Sequence, residues 1–188
     1  MSQMFPTCTS LQTLDVSGFN TSNVIYMSAM FQLSGFTELD LSGFDTSNVT
    51  SMYQMFTDCP DLVKLNLSTW NTSKVAYMAQ MFDRCSSLAE LDISSFDTSN
   101  FALNNYQAIS TMFANCSSLT ELDLGHFDIS NVAQFNYSGG LFQGCTSLKK
   151  LNISNWNGAN LLQVMLRSCC VRNFRGKRWT SNPRSGIH

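Results

Sequence analysis

The cysteines are the residues whose type and spacing most directly suggest chemistry. The chain has seven, and six recur at one position of a repeated sequence, namely Cys8, Cys59, Cys85, Cys116, Cys145 and Cys169; the second repeat has Leu33 or Ser34 there instead. Such spacing is compatible with buried reduced thiols, with disulfides between neighbouring repeats, or with a zinc site. Buried thiols are the favoured interpretation, because free cysteine is often fully buried and the sequence lacks the C-x-x-C pairs typical of zinc sites.

Histidine is the other residue type with catalytic potential, and the chain contains only His126 and His188. Asp123 and Asp128 flank His126, but acidic residues recur at the same positions in other repeats, so the repeat itself explains them. The sequence contains no P-loop, G-x-G-x-x-G, H-E-x-x-H or EF-hand motif. We therefore predict a protein that is not an enzyme and that binds neither a metal ion nor a cofactor.

The charge of the chain is divided unevenly along its length. Residues 1–166 contain 13 acidic and five basic residues, a net charge of −8, whereas residues 167–188 contain six basic and no acidic residues, a net charge of +6. A nucleic-acid-binding domain carries its basic residues on the fold itself, so no nucleic-acid partner is predicted. No apolar run reaches about 18 residues, which predicts no membrane insertion, and no signal peptide is visible in this chain.

These residues belong to a repeat that accounts for most of the sequence. Each repeat opens with Met-Phe or Leu-Phe, and we number the coils 1 to 6 by the openings at Met4, Met30, Met55, Met81, Met112 and Leu141. Successive openings are 26, 25, 26, 31 and 29 residues apart. A partial seventh opening is predicted at Met165. Self-similarity at a fixed period is typical of solenoids, in which each coil buries its apolar side against its neighbours.

Within each coil the apolar pattern changes from period two to a helix-like spacing. The segment L-x-x-L-x-L predicts a short strand and follows the leucine-rich-repeat pattern. The segment V-x-x-M-x-x-M-F predicts about two helical turns or a 3₁₀ turn. The F-D/N-T-S-N sequence between them supplies turn and capping residues. The predicted fold is a right-handed α/β leucine-rich-repeat solenoid, with one parallel β-sheet and short helical or 3₁₀ segments on the opposite side.

The repeat pattern predicts one solenoid domain at residues 1–170, made of six coils and the partial seventh. Because the chain opens inside a repeat and without an N-terminal cap, we expect it to be a fragment of a longer array. Residues 171–188 contain turn-forming and basic residues but no period. They are predicted to form a basic, poorly ordered tail.

The outward-facing residues of the predicted strands form the candidate partner-binding site, which we call the strand face. It consists of Glu38, Asp40, Lys64, Asn66, Glu90, Asp92, Glu121 and Asp123. One interpretation is a recognition surface, because solenoids commonly bind partners on the concave side. The other is a solvated sheet face on which Asp and Asn side chains form ladders. The sequence favours neither interpretation over the other, since fold alone does not assign function.

The repeat unit M-F-x-x-C-x-S-L-x-x-L-D-L-S-x-F-D-T-S-N-V resembles that of the BspA-like family of microbial surface leucine-rich-repeat proteins. The best match lies at residues 85–100, and the resemblance extends from residue 1 to about residue 170. It implies a non-catalytic protein-binding module of a cell-surface or secreted adhesin. The implied partner is a host or matrix protein or another microbial surface protein. The alternative is an intracellular or structural interaction scaffold with no adhesive role.

Overall fold

The computed structural model describes residues 1–102, 108–130, 132, 140–156 and the backbone of 173–175. It contains five strands of three residues each: β1 (Glu38–Asp40), β2 (Lys64–Asn66), β3 (Glu121–Asp123), β4 (Lys150–Asn152) and β5 (Asn173–Arg175). All pairings are parallel, and neighbouring strands meet with Leu39 opposite Leu65 and with Leu122 opposite Leu151. Strands β1 to β4 therefore lie at the leucine positions from which they were predicted.

The strands form two sheets, which corrects the prediction of a single sheet. Strands β1 and β2 pair with each other, and β3, β4 and β5 form a separate three-stranded sheet. The strand position of coil 4, residues 90–92, lies between them and is not a strand. Coil 4 has 31 residues where coils 1–3 have 25 or 26. Its backbone bonds to its neighbours just before this position, from the Ser87 amide to the Pro60 carbonyl and from the Thr120 amide to the Ala89 carbonyl, and the ladder does not continue in register.

Strand β5 falls within the range predicted as a poorly ordered tail. It pairs with β4, and the register places Phe174 opposite Leu151. A strand therefore occupies residues 173–175 of that range. The other tail residues, the predicted seventh opening at Met165 and the sixth column cysteine, Cys169, lie outside the described residues.

The side of each coil opposite the strands is built from turns, in the four segments 27–33, 52–58, 78–84 and 109–115, which we call the turn segments. The described residues contain no α-helix, and only Ala108 has 3₁₀ geometry, so the helical prediction is wrong for these segments. Each contains two residues with positive φ four positions apart, such as Ala29 at 52° and Leu33 at 57°. Left-handed residues interrupt a right-handed helix, which explains the difference.

Alternate backbone amides of the turn segments bond to the following coil, and some of the amides between them close single turns within the segment, such as Met55 to the Met52 carbonyl at 3.2 Å. Within 52–58, alternate amides donate at 2.9–3.0 Å to carbonyls of the next coil, from Met52, Gln54, Phe56 and Asp58 to Tyr77, Ala79, Met81 and Asp83 respectively. The segments 27–33 and 78–84 donate to their following coils in the same way. All these bonds run from one coil to the next along the chain, so the groups that a helix uses internally join coils here.

The interior contains a row of stacked phenylalanine rings that passes through all six coils. Adjacent rings have centroids 5.6–6.0 Å apart and interplanar angles of 5–11°. The row consists of Phe5, Phe31, Phe56, Phe82, Phe113 and Phe142. Beside it, Leu122 is buried, and Leu65 and Leu91 are half-buried against the same core. The apolar columns that the sequence predicted to face inward therefore make one continuous core.

Candidate functional site

The strand face is exposed along its whole length. All eight predicted site residues are exposed, whereas the leucines at the centres of β1 to β4 face the core. This alternation follows from strand geometry, in which successive side chains point to opposite sides of the sheet. The structure therefore places the predicted residues on one accessible surface, as a partner-binding role requires.

The acidic column of the strand face also ends the strands. The Asp40 side chain accepts a hydrogen bond from the Ser42 amide at 2.9 Å, and Asp92 accepts one from the Ser94 amide at 3.0 Å. These bonds lower the pKa of both carboxyls below the usual 3.8, so both are ionised at neutral pH. Asn66 makes the same bond to the Ser68 amide at 3.2 Å. The turn needs only one side-chain oxygen as acceptor, so either Asp or Asn can occupy this position.

Several charges of the strand face are paired between neighbouring coils. Lys64 contacts Glu38 at 2.6 Å, joining coils 2 and 3. Lys150 contacts Glu121 at 2.5 Å, and Asn152 donates to Asp123 at 2.8 Å, joining coils 5 and 6. These exposed pairs contribute little stability. They do form the side-chain ladders that the structural interpretation of this surface predicted.

Coil 4 departs from this pairing. Glu90 is exposed and makes no hydrogen bond or ion pair with any described residue. The equivalent residue of the next coil is Glu121, which carries the same charge. Asp92 lies beside Glu90 with its charge stabilised by the Ser94 amide. Glu90 is thus the glutamate of the strand face that lacks a lysine partner among the described residues, and it lies between the two paired regions.

The cysteine column is a row of buried hydrogen-bond donors. Each thiol donates to the phenylalanine carbonyl of the preceding coil at 3.0–3.1 Å, from Cys59, Cys85, Cys116 and Cys145 to Phe31, Phe56, Phe82 and Phe113 respectively. The column cysteines that the structure describes are free, and these four are buried, which confirms the prediction of reduced thiols for them. Cys8 is half-buried and bonds locally to the Pro6 carbonyl at 3.9 Å.

Burial also determines the acidity of these thiols. It raises the pKa of the Cys59 thiol from 9.0 to about 11, and it raises the pKa values of Cys85 and Cys116 as well. A thiol must lose its proton to act as a nucleophile. The column is therefore unsuited to nucleophilic catalysis at neutral pH.

Ser34 is a member of this column that the sequence left ambiguous. In coil 2 its buried hydroxyl donates to the Phe5 carbonyl at 2.9 Å, which is the bond that cysteine makes in coils 3 to 6. Leu33, the alternative, is instead an exposed residue with positive φ. The shared property of the column is a small donor, and a search for donors rather than thiols would have found Ser34.

The threonines of the T-S sequence form a second buried ladder, whereas the sequence predicted only a turn and capping role for them. Thr72 is buried and donates to the Asp97 carbonyl at 2.8 Å, while its hydroxyl also accepts from the Asp97 amide at 2.7 Å. Thr21, Thr46 and Thr98 donate in the same way to the following coil. The threonines of the T-S sequence therefore join coils, and no helix follows them to be capped.

The remaining candidates for chemistry make only structural contacts. His126 lies 3.1 Å from the Ile93 carbonyl through Nε2, and its ring packs edge-on against Phe127. Among the described residues there is no group of three or more His, Cys, Asp or Glu side chains that could hold a metal ion. That part of the chain also has no helix with the length and apolar character needed to cross a membrane.

Comparison with known proteins assigns the repeats to a family. A family model described as "Mycoplasma protein of unknown function, DUF285" matches residues 1–108 and again residues 59–177. The chain belongs to this family. The two DUF285 matches overlap at residues 59–108, as expected where one repeat unit recurs along the sequence. They cover every coil described above.

Two further comparisons complete this result. The chain is similar to the crystal structure of the T. pallidum leucine-rich-repeat protein, with 18% identity, 69% of each chain covered and a TM-score of 0.30. A search of curated proteins gave no match. The DUF285 assignment therefore rests on the sequence of the repeats.

Proposed function

We propose that this DUF285 protein is a non-catalytic protein-binding module of a cell-surface or secreted adhesin, and that it binds its partner through the strand face. We further propose that its coils form a right-handed leucine-rich-repeat solenoid. The partner is a host or matrix protein or another microbial surface protein, as the resemblance to BspA-like proteins implies. The observation that supports the site is that Glu90 has no lysine partner among the described residues, whereas Glu38 and Glu121, the other glutamates of the strand face, each have one.

The geometry suits recognition because one of the two carboxylates of coil 4 is held in place before binding. Asp92 is fixed by the Ser94 amide, and it belongs to the same coil as Glu90. A preorganised surface loses little conformational freedom when a partner binds. A lysine or arginine of the partner would compensate Glu90, whereas the neighbouring Glu38 and Glu121 already have lysine partners.

Binding to immobilised laminin, collagen and fibronectin tests this proposal. We compare the wild type with a Glu90→Gln/Asp92→Asn double variant, in which Asn keeps the strand-ending bond as Asn66 does. The proposal expects affinity to fall by about tenfold or more, as for a residue at the centre of an interface. The matched control is Asp45→Asn/Asp97→Asn, which changes the same charge at exposed aspartates outside the strand face.

The outcome that rejects this site is equal loss, or no loss, in the two double variants. The scaffold alternative is favoured by one observation, namely the ladders that use Glu38, Lys64, Glu121 and Asp123 within the chain. Protease treatment of intact cells that express the native protein separates the two functions. Digestion of the protein on intact cells supports the adhesin, and full protection supports the scaffold.

A further inference from the structure

A groove of about 680 Å³ runs along the edge where the turn segments lead into the strands. Each of the six coils contributes to its wall, through Thr9, Gly35, Pro60, Ser86, Ser117 and Gly144 in order. We call it the edge groove. None of the eight residues of the strand face lines it, so it is a separate surface.

The length of the edge groove fits a short extended chain. Five steps between six coils at about 4.8 Å each give a length of about 24 Å. About seven residues of extended chain match this length.

The charges in the edge groove are concentrated at coils 3 and 4. The Arg84 guanidinium contacts both carboxylate oxygens of Asp58 at 3.2 Å, which compensates that carboxylate. Asp61 also lines the groove, is exposed, and has no hydrogen-bond or ion-pair partner among the described residues. The charged groups of the lining therefore sum to −1, from two aspartates and one arginine.

A buried carboxyl adds to this negative potential from below. Asp83 is only 6% exposed, and the side-chain amide of the groove residue Asn115 donates to it at 3.1 Å. The walls from coils 4 and 5 contribute the hydroxyls of Ser86 and Ser117, which donate to the Pro60 and Ser86 carbonyls of the preceding coils. Their oxygens can still accept hydrogen bonds from the N–H groups of an extended backbone.

We propose that the edge groove binds an extended peptide segment of about seven residues that carries lysine or arginine. The basic side chain pairs with Asp61 and competes with Arg84 for Asp58. The hydroxyl and amide groups along the groove bond to the peptide backbone. A neutral oligosaccharide can also bond to hydroxyl and amide groups, but it would not respond to the charge of Asp61.

Selection from a phage-displayed library of random heptapeptides tests the proposal on the full chain. Basic heptapeptides are expected to be enriched on the wild type, and their affinities are then measured by fluorescence polarisation. Asp61→Lys should weaken binding by about tenfold or more, because it replaces attraction by repulsion. Arg84→Gln should tighten binding several-fold, because it releases Asp58 from its internal partner.

Asp97→Lys provides the matched control, since it makes the same charge reversal at an exposed aspartate outside both surfaces. It should change peptide affinity by less than about twofold, because Asp97 does not line the edge groove. Unfolding midpoints in urea verify that each variant is folded. Absence of basic sequences among the selected peptides overturns the proposal, as does binding that Asp61→Lys leaves unchanged.

The two proposals fail in different ways. Peptide binding that Glu90→Lys abolishes and Asp61→Lys preserves would place the ligand on the strand face, which overturns the edge groove alone. A glycan array tests for the other ligand class, neutral oligosaccharides. Binding of such oligosaccharides that is lost when the groove residue Ser117 is changed to Tyr would assign the groove to them. This result would also overturn the peptide proposal.

Discussion

At the scale of single residues, the cysteine column shows that the coils need a small hydrogen-bond donor at one interior position. The thiols of Cys59, Cys85, Cys116 and Cys145 satisfy the carbonyl groups of phenylalanines in the preceding coil. The hydroxyl of Ser34 does the same in coil 2. A buried carbonyl left without a donor is destabilising. Coils 2 to 6 therefore make the same hydrogen bond at this position, although the donor is serine in coil 2 and cysteine in coils 3 to 6.

The first prediction compares two substitutions of Cys85. Cys85→Ala removes the donor to the Phe56 carbonyl and leaves a small cavity, so it should lower the free energy of unfolding by about 1–3 kcal/mol. Cys85→Ser keeps a donor and should lower it by less. Urea unfolding at pH 7 measures both values. Equal losses for Ala and Ser would contradict the donor role, and Cys8→Ala, which has no bond between coils, serves as the control.

The second prediction concerns alkaline pH. The Cys59 thiol has a pKa of about 11 in the folded protein and 9.0 ordinarily, so between these values the unfolded chain loses a proton that the folded protein retains. The free energy of unfolding should therefore decrease as pH rises, with a Cys59 contribution of about 1.4 kcal/mol per pH unit. Below pH 9 this contribution is constant.

Urea unfolding at pH 8, 9, 10 and 11 measures this dependence. The wild type is compared with Cys59→Ser, which cannot titrate in this range and so removes the contribution of one thiol. The slope above pH 9 should be shallower in the variant. Parallel curves for the two proteins would show that the Cys59 thiol does not titrate differently in the folded and unfolded states.

At the scale of elements, the turn segments depend on residues in an unfavourable conformation. Leu33, Gln54, Asp58, Gln80 and Arg84 all have φ between 57° and 61°. A left-handed conformation costs roughly 1–2 kcal/mol for an ordinary residue. The amide bonds to the following coil offset this cost. In coil 6 the position equivalent to Leu33 is Gly144, with φ of 75°, which avoids the cost altogether.

The third prediction is that Leu33→Gly stabilises the protein. The substitution relieves the left-handed strain, and the greater freedom of glycine in the unfolded chain offsets part of this gain, so the net increase in the free energy of unfolding should be about 0.5–1 kcal/mol. Leu33 is 40% exposed, so little burial is lost. The control is Val63→Gly, at an exposed position without positive φ, which should destabilise. Thermal unfolding compares them, and a lower melting temperature for Leu33→Gly would contradict the argument.

The turn segments also show where prediction from sequence reached its limit. The leucines of β1 to β4 were placed correctly, because an apolar period of two in a half-buried segment indicates a β-strand, whose side chains alternate between the two faces. The spacing V-x-x-M-x-x-M-F fits a helix but also fits a chain of turns, and non-glycine residues such as Ala29 and Leu33 give no signal of positive φ. Partners in the next coil, rather than local propensity, determine this conformation.

The candidate site was predictable to a similar extent. Exposure of the strand face followed from the same alternation of side chains, and all eight residues are exposed. The pairing of Glu38 with Lys64 could be inferred from adjacent coils. The isolation of Glu90 could not, because it depends on the interruption of the sheet at coil 4. The edge groove was also missed, since it is formed between coils and has no sequence motif.

At the scale of the whole molecule, the phenylalanine row connects coils that are far apart in sequence. Phe82 stacks on Phe56 at 5.7 Å and on Phe113 at 5.8 Å, and it is fully buried. Solenoid stability is the sum of coil stabilities and of the interfaces between neighbours. A change at the centre of the row therefore weakens two interfaces, whereas a ring with one stacked partner affects one.

The fourth prediction follows from this difference in the number of stacked partners. Phe82→Leu loses two stacking contacts and leaves a cavity, and it should lower the free energy of unfolding by about 2–4 kcal/mol. Phe44→Leu, in a buried ring stacked on Phe19 at 6.4 Å, should cost about 1 kcal/mol less. Urea unfolding followed by tryptophan fluorescence provides the comparison. Equal costs would show that the row does not couple successive coils.

The one-way bonding of the turn segments has a consequence for how such a protein can evolve in length. The donors at 27–33 meet their acceptors at residues 51–57 as the donors at 52–58 meet theirs at residues 77–83, so each junction presents the same chemistry to the next. Duplication or loss of a DNA segment that encodes one whole coil would recreate a junction already present. Recombination at any other length would misalign donors and acceptors, so genes of this kind should vary in size by whole coils.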